Sequence, residues 1–390
     1  MTLKLIKIKF FNLIKYLIYL ILDTILSFQK QEKTPKTLLL IKLDSIGDYL
    51  LFRNFLKFFK TSDSYRNYKI TLLGNIVWKD LAEKFDKESV DNFLWLDRNK
   101  FSNNLFYKFQ LLNSIYKSGF ETVIDCAYSR EILFGDSIIK TSRATNRIGS
   151  VGSPDNYVKW KRNLLTDKFY TNLISTSDKI IFEFERNREF ISKILNYNLD
   201  IRKPNLDTNE IDSFDFEEKY IVIFPGANDT KRRWSVEKFS KVIFHILNNY
   251  KFLIVLAGSN SDVKIVEKIF KHFVTNRVKN FVGKTNLPEF AKLIAGAELL
   301  ITNETSAVHF AASVNTPFVC ISNGNHFGRF HPYPEEAGVE GVFIYPKEIK
   351  NNLANIDYLK SKYGFGSNLD INLIDENEVI SIVDKFLIKD

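Results

Sequence analysis

From Thr37 onward the chain alternates short apolar runs with amphipathic stretches. Apolar runs at Leu38–Leu43, Lys69–Leu73, Asn92–Leu96 and Thr122–Ala127 have the length of strands. The stretches between them, such as Tyr49–Phe59 and Asn103–Tyr116, carry apolar residues at helical spacing. Residues 175–198 read as one long charged and apolar helix. Residues 199–217 are polar and read as a linker. The rhythm then restarts with strands at Tyr220–Phe224, Phe252–Ala257, Asn280–Val282, Leu299–Thr302 and Pro317–Ile321. Helical stretches at Ser235–Asn248, Ser261–Phe273, Leu287–Ala295 and Thr305–Ser313 separate them, and Glu376–Leu387 closes the chain as an amphipathic helix. A βαβ rhythm that runs twice predicts an α/β protein with two doubly wound parallel sheets in series. Ligands of such sheets bind beyond the carboxyl ends of the strands, so chemistry is sought in the loops there.

The first 30 residues fall outside this rhythm. Residues 5–28 are rich in Leu, Ile, Phe and Tyr, but Lys7, Lys9, Lys15 and Asp23 interrupt them. A spanning helix needs about 20 mostly apolar residues, and no small-residue cleavage site follows. The pattern suits a helix lying on a membrane surface, its lysines reaching anionic headgroups. A helix packed on the protein's own first domain is the alternative.

Composition adds little to this picture and removes some options. At 390 residues and 45% hydrophobic content the chain has material for two cored domains. The 35 Phe and the many Lys, Ile and Asn show a biased composition, so the net charge of +9 is partly background. No basic stripe with interleaved aromatics marks the folded part, which argues against nucleic acid as a partner. Cys126 and Cys320 sit in apolar runs and read as buried thiols of a reducing compartment. His326 and His331 lie close in sequence but lack a third ligand at metal-binding spacing, and no Asp-x-Asp is present to hold a metal on a sugar nucleotide. The expectation is therefore no metal and no cofactor.

Three motifs carry chemistry. Ile301 to Ala312 runs from a strand through the polar cluster Asn303-Glu304-Thr305-Ser306 into a helix of small residues containing His309. Asn303 or Thr305 would cap that helix, and the amides of residues 305–308 would form a pyrophosphate cradle at its positive end. An ordinary capped helix is the other reading. Pro225-Gly226-Ala227 opens a loop that continues to Lys231-Arg232-Arg233-Trp234. Gly226 would let a ligand approach the backbone, and the cations would neutralise a departing diphosphate; a solvated basic turn is the alternative. Gly47-Asp48 follows the first strand, where a first-turn carboxylate is favoured by the helix dipole with or without a further duty. No Gly-x-Gly-x-x-Gly follows either opening strand and no Gly-x-Ser-x-Gly occurs, which disfavours a nicotinamide dehydrogenase and an esterase.

Taken together, the order and spacing of these motifs resemble the heptosyltransferase family, glycosyltransferase family 9, over roughly residues 37–330 and the final helix. The resemblance rests on Gly47-Asp48 after an apolar strand, on Pro225-Gly226-Ala227 with Arg232-Arg233-Trp234, on Gly283-Lys284-Thr285 with Leu287, and on Asn303 to Ala312. It implies a GT-B fold, in which two Rossmann-like domains face a cleft. The domains would be an acceptor domain at 37–205 and a donor domain at 206–345. A membrane-surface helix at 1–30 would precede them, and a tail with a terminal helix at 346–390 would follow. It also implies inverting, metal-independent transfer of a sugar, heptose from ADP-heptose in the typical case, to a lipopolysaccharide-core or related glycolipid or oligosaccharide acceptor, at the cytoplasmic face of the inner membrane. By position Asp48 would be the general base. Gly47, Gly226, Ala227, Lys231, Arg232, Asn303, Glu304, Thr305, Ser306 and His309 would hold the donor, with His309 equally readable as a core residue. From their place near strand ends of the first domain, Arg130, Arg143 and Arg147 are candidates for acidic acceptor groups, with surface solubility the favoured reading for each. The family's Asp is Glu304 here, its Gly is Ser306, and the Pro after its Trp is Ser235; the longer side chain and the added Cβ would crowd the donor site. Two other functions share this architecture: a non-catalytic sugar-nucleotide binder and a sugar-nucleotide epimerase.

Overall fold

A computed structural model describes residues 30–152 and 159–387, together with Ile18, Ile21, Thr24 and Ile25. The expected membrane-surface helix falls within residues 1–30 and lies almost wholly outside the described residues. Among those described, no helix is long and apolar enough to cross a membrane.

Two six-stranded parallel sheets form the body. The first runs β3-β2-β1-β4-β5-β6, with β1 Thr34–Lys42, β2 Lys69–Asn75, β3 Asn92–Leu96, β4 Phe120–Asp125, β5 Asn146–Ser150 and β6 Asn172–Ile174. The second repeats this order as β9-β8-β7-β10-β11-β12, with β7 Tyr220–Phe224, β8 Leu253–Leu256, β9 Val278–Asn280, β10 Leu299–Asn303, β11 Phe318–Ile321 and β12 Gly341–Ile344. Strand order therefore reverses between β1 and β4 and again between β7 and β10, and each reversal opens a crevice at the strands' carboxyl ends. Central strands such as Leu299–Asn303 are buried along their whole length, as a sheet covered on both faces requires.

β5, β6 and β12 have no counterpart in the strands expected from the sequence. They have only three to five residues and lie towards the sheet edges, and Asn146, Arg147 and Asn172 break their apolar pattern. The stretch 175–198 is not one helix. A helix spans Glu183–Leu195 only. The Arg186 guanidinium donates to the carbonyls of Ser177 (2.7 Å) and Lys179 (2.6 Å), and the Ser177 amide donates to Glu189 (3.0 Å). The helix thus folds its own leader back as an ordered loop.

The polar stretch 199–217 is a strap rather than a loose linker. Asn205 accepts from Arg53 at 2.6 Å, and the Leu206 amide donates to Ser313 at 2.9 Å. One apolar cluster includes Leu38 and Leu40 of the first sheet with Phe52 beside them, and Val222 and Leu300 of the second with Phe310 beside them, so the two halves share buried surface. The terminal helix Glu376–Leu387 buries Val379, Val383 and Leu387 against the second sheet's core.

Beyond β4 lies a buried polar network. Tyr170 donates to Asp136 at 2.6 Å and sits 3.2 Å from Asp125. Burial first, and then the neighbouring Asp136, push the Asp125 carboxyl up to about 7. An unfolded chain ionises this group near pH ~4, whereas the folded protein holds its proton up to about 7. The folded state binds the extra proton, so stability falls as pH rises through that window. Asp125→Asn should therefore gain stability over wild type as pH goes from about 5 to 7.5, by an amount on the order of a few kcal/mol. Urea midpoints that move in parallel at both pH values would rule this out.

Candidate active site

The two crevices face each other across one cleft of about 770 Å³. Leu43 to Asp48, Asn75, Val77, Arg98 and Glu131 form one wall. Ala227, Arg232, Glu304 to Ser306 and His309 stand opposite, and Ser259, Asp262, Thr285 and Leu287 extend that second wall.

Asp48 lies in the first turn of the short helix Ile46–Leu50 and accepts a hydrogen bond from the Ser45 hydroxyl. Burial and then the neighbouring Asp44 push its carboxyl up to about 6, against the pull of Lys42. Lys42 is buried at the end of β1 and pairs with Asp44 at 2.8 Å. A carboxylate tuned upward but still ionised near neutrality suits a general base.

Gly47 makes the facing of the two walls geometrically possible. A Cβ built there would stand 3.0 Å from His309 Cδ2 and 3.8 Å from the Ser306 Cα. The helix carrying Asp48 thus touches the start of the helix Ser306–Val314, and the role of Gly47 is close packing between the two halves. His309 is buried, with Nδ1 2.8 Å from the Tyr333 hydroxyl. Burial lowers its imidazole to about 4 despite the nearby Glu304, so the ring is neutral.

Thr305 caps the Ser306–Val314 helix by accepting from the Ala307 amide at 3.2 Å. The Val308 amide donates to the Thr305 carbonyl at 3.3 Å. The expected four-amide cradle therefore reduces to the amides of Thr305 and Ser306, at the positive end of the helix. Arg232 supplies side-chain charge beside them. Its Nη1 lies 3.4 Å from the Glu304 carbonyl and 3.5 Å from its carboxylate.

The extra length of Glu304 is taken up by a polar niche. The Ser322 hydroxyl donates to its Oε2 at 3.1 Å, and His331 Nε2 lies 3.4 Å away. Burial pushes the carboxyl up, but His331, Arg232 and His326 pull harder, and the net shift is downward. Glu304 is ionised. Ser235, in place of the family's Pro, caps the next helix by accepting from the Lys238 amide at 3.2 Å.

Several expected site residues stand elsewhere. Gly226 is buried beneath the Asp262 carboxylate, where a Cβ would lie 2.4 Å from its carbon and an oxygen. Asp262 accepts from the Ser259 amide and hydroxyl at 2.9 and 2.6 Å, so Gly226 makes room for a loop clamp, not for a ligand. Gly226→Ala should cost about 1–3 kcal/mol of stability through this overlap, visible as a lower melting temperature. An unchanged melting temperature would show that the clamp yields freely.

Lys231 is exposed and points to Asn368 at 3.3 Å, away from the cleft. Asn303 is fully buried, accepting from the Trp234 amide (3.2 Å) and donating to the Pro225 carbonyl (2.7 Å), so it joins the two donor-side loops. Arg130 is buried beside Asp136, Asp167 and the Tyr170 ring. Arg147 donates to the Phe169 carbonyl at 2.6 Å from the amino half of β5, and Arg143 ends a helix in the left-handed region at φ 47°. None of these three arginines lines the cleft; the partners just named hold Arg130 and Arg147 as structural groups. Among the described residues of the first half, the arginine that lines the cleft is Arg98, paired with Glu131 at 2.8 Å. Its position directly after β3 was the available signal. Thr285 and Ser259 stand likewise just past β9 and β8.

Residues 173–355 match the model of glycosyltransferase family 9 (heptosyltransferase). Over that stretch the chain is similar to glycosyltransferase family 9. Lipopolysaccharide heptosyltransferase 3 of Escherichia coli K12 is 30% identical over 127 residues, 32% of this chain and 37% of that protein. The lipopolysaccharide core heptosyltransferase OpsX of Haemophilus influenzae is 26% identical over 133 residues, 33% of this chain and 37% of that protein. The aligned stretches span about a third of the length of these curated relatives. In fold, the chain is similar to a family 9 glycosyltransferase of Veillonella parvula (TM-score 0.66, 17% identity, 92% of this chain and 99% of that one). It is also similar to the E. coli heptosyltransferase WaaC with ADP (TM-score 0.67, 14% identity, 90% and 99%). The stretch that matches family 9 thus sits within a GT-B arrangement of two Rossmann-like halves.

Proposed function

We propose that this protein is an inverting glycosyltransferase that moves a sugar, heptose from ADP-heptose, to a hydroxyl of a lipopolysaccharide-core or related glycan. One observation carries the reading: Asp48 and the start of the Ser306–Val314 helix form opposite walls of a single cleft. Asp48 takes the proton of the acceptor hydroxyl as its oxygen bonds to the anomeric carbon. The bond from that carbon to the diphosphate breaks, and the nucleoside diphosphate leaves with the electron pair. Arg232 and the amides of Thr305 and Ser306 receive the developing charge, the task a metal ion performs in other transferases. The nucleoside half would lie towards Thr285 and Leu287, and the acceptor against Arg98 and Glu131. The similarity to the named heptosyltransferases supports the choice of sugar.

We place the enzyme on the cytoplasmic face of the inner membrane, held by the basic and apolar segment 1–30. Removing that segment should release the protein from anionic vesicles, and retention of binding would refute the anchor. The reaction itself is tested by incubating the protein with ADP-, GDP- and UDP-sugars and a panel of core oligosaccharides. Transfer from ADP-heptose is the expected result. Free nucleotide released with an epimerised sugar and no acceptor would favour an epimerase, and binding without turnover a sugar-nucleotide binder.

A further inference from the structure

The niche around Glu304 holds a histidine that no part of the proposed reaction uses. His331 is fully buried. Its Nε2 lies 2.7 Å from the Asn325 carbonyl, which fixes a proton on that nitrogen. Its Nδ1 lies 2.9 Å from the Tyr345 hydroxyl. A hydroxyl donates to a neutral ring nitrogen and accepts from a protonated one, so this ring can gain a second proton without moving.

The Glu304 carboxylate is shared between two cationic partners of different kinds. Arg232 approaches from the cleft, is about a quarter exposed, and reaches Glu304 only at the outer limit of hydrogen bonding, 3.4 and 3.5 Å. His331 approaches from the sealed side at 3.4 Å. A dianionic diphosphate arriving at the cleft competes for Arg232. A buried carboxylate stripped of its partner is strongly destabilising, and the added phosphate charge favours a cation nearby. Both effects draw a proton to the imidazole. The other groups facing the niche are His326 from its own loop, with Arg329 beside it, His309 from the Ser306–Val314 helix, Cys320 from β11 and Tyr345 after β12. Burial holds His326 and His309 towards their neutral forms, so neither sets a fixed positive charge against the change.

We infer that binding of the sugar nucleotide's diphosphate transfers Arg232 from Glu304 to the ligand and places a solvent proton on His331, which holds Glu304 in position until the nucleotide leaves. His331 is thereby a positioning residue coupled to the donor site. The inference rests on the reading that the cleft receives a sugar nucleotide.

Calorimetric titration with ADP-heptose at pH 7, in PIPES, HEPES and Tris, tests it directly. This donor is a diphosphodiester with no group titrating near neutrality, so a binding heat that depends on the buffer's ionisation enthalpy reports protons taken up by the protein. The expected result is uptake of up to one proton per donor, abolished in His331→Gln and reduced in Tyr345→Phe, with donor affinity falling more steeply above pH 7 in wild type than in His331→Gln. Should His331→Gln not fold, the wild-type buffer series and Tyr345→Phe decide. Binding heat independent of buffer, or uptake that survives His331→Gln and disappears in His326→Gln, overturns the inference while leaving the transferase reading intact. Absence of ADP-heptose binding removes both.

Discussion

Replacing Asp48 with alanine should slow sugar transfer by roughly 10²–10⁴-fold, the usual worth of a positioned base, while nucleotide binding stays near wild type. The separation follows from geometry. Asp48 belongs to the wall contributed by the first sheet, whereas the diphosphate's partners belong to the other. The pH dependence has a definite sign. Burial and Asp44 raise the Asp48 carboxyl to about 6, and only the ionised form accepts a proton. Turnover should therefore fall as pH drops through about 6 and level off above it. Asp48→Asn keeps the shape and should lose the rate together with that acid limb. A variant with full activity and an unchanged profile would remove Asp48 from the role.

Arg232→Ala should lower kcat by roughly 10²–10³-fold, the range seen when one preorganised donor to a developing anion is removed. Arg232→Lys should recover part of the loss, since a point charge replaces a fork of donors. Lys231→Ala should stay near wild type, because its ammonium points to Asn368 and not into the cleft. Steady-state kinetics on these three variants would separate the adjacent cations. Equal losses at 231 and 232 would mean that the loop acts through net charge, not through the placement of one guanidinium.

The sequence was most informative where several apolar residues in a row had to be buried. Strands such as Leu299–Asn303 and Tyr220–Phe224 are central, and their patterns admit few alternatives. Edge strands such as Asn172–Ile174 carry too few buried positions to register. At the site, Asp48, Arg232, Glu304, Thr305, Ser306 and His309 were all recognisable from their place after central strands, and all line the cleft. The misplaced residues share a different cause. Gly226, Asn303 and Arg130 have the chemistry of ligand contacts, but each is consumed by a local partner brought from elsewhere in the chain: Asp262, Trp234, and the Asp136–Asp167 pair. A motif shows which residue types are gathered. It does not show which of them the fold has already satisfied. Arg98 and His331 illustrate the converse, since neither belongs to a recognisable motif and both take their position from packing.

A crystal structure of the protein with ADP-heptose would show whether the two walls of the cleft act on one donor. The diphosphate should lie at hydrogen-bonding distance, about 3 Å, from the amides of Thr305 and Ser306 and from Arg232, with the anomeric carbon turned towards Asp48. A nucleotide seated with its diphosphate on the opposite wall, or with Asp48 screened from the sugar, would contradict it.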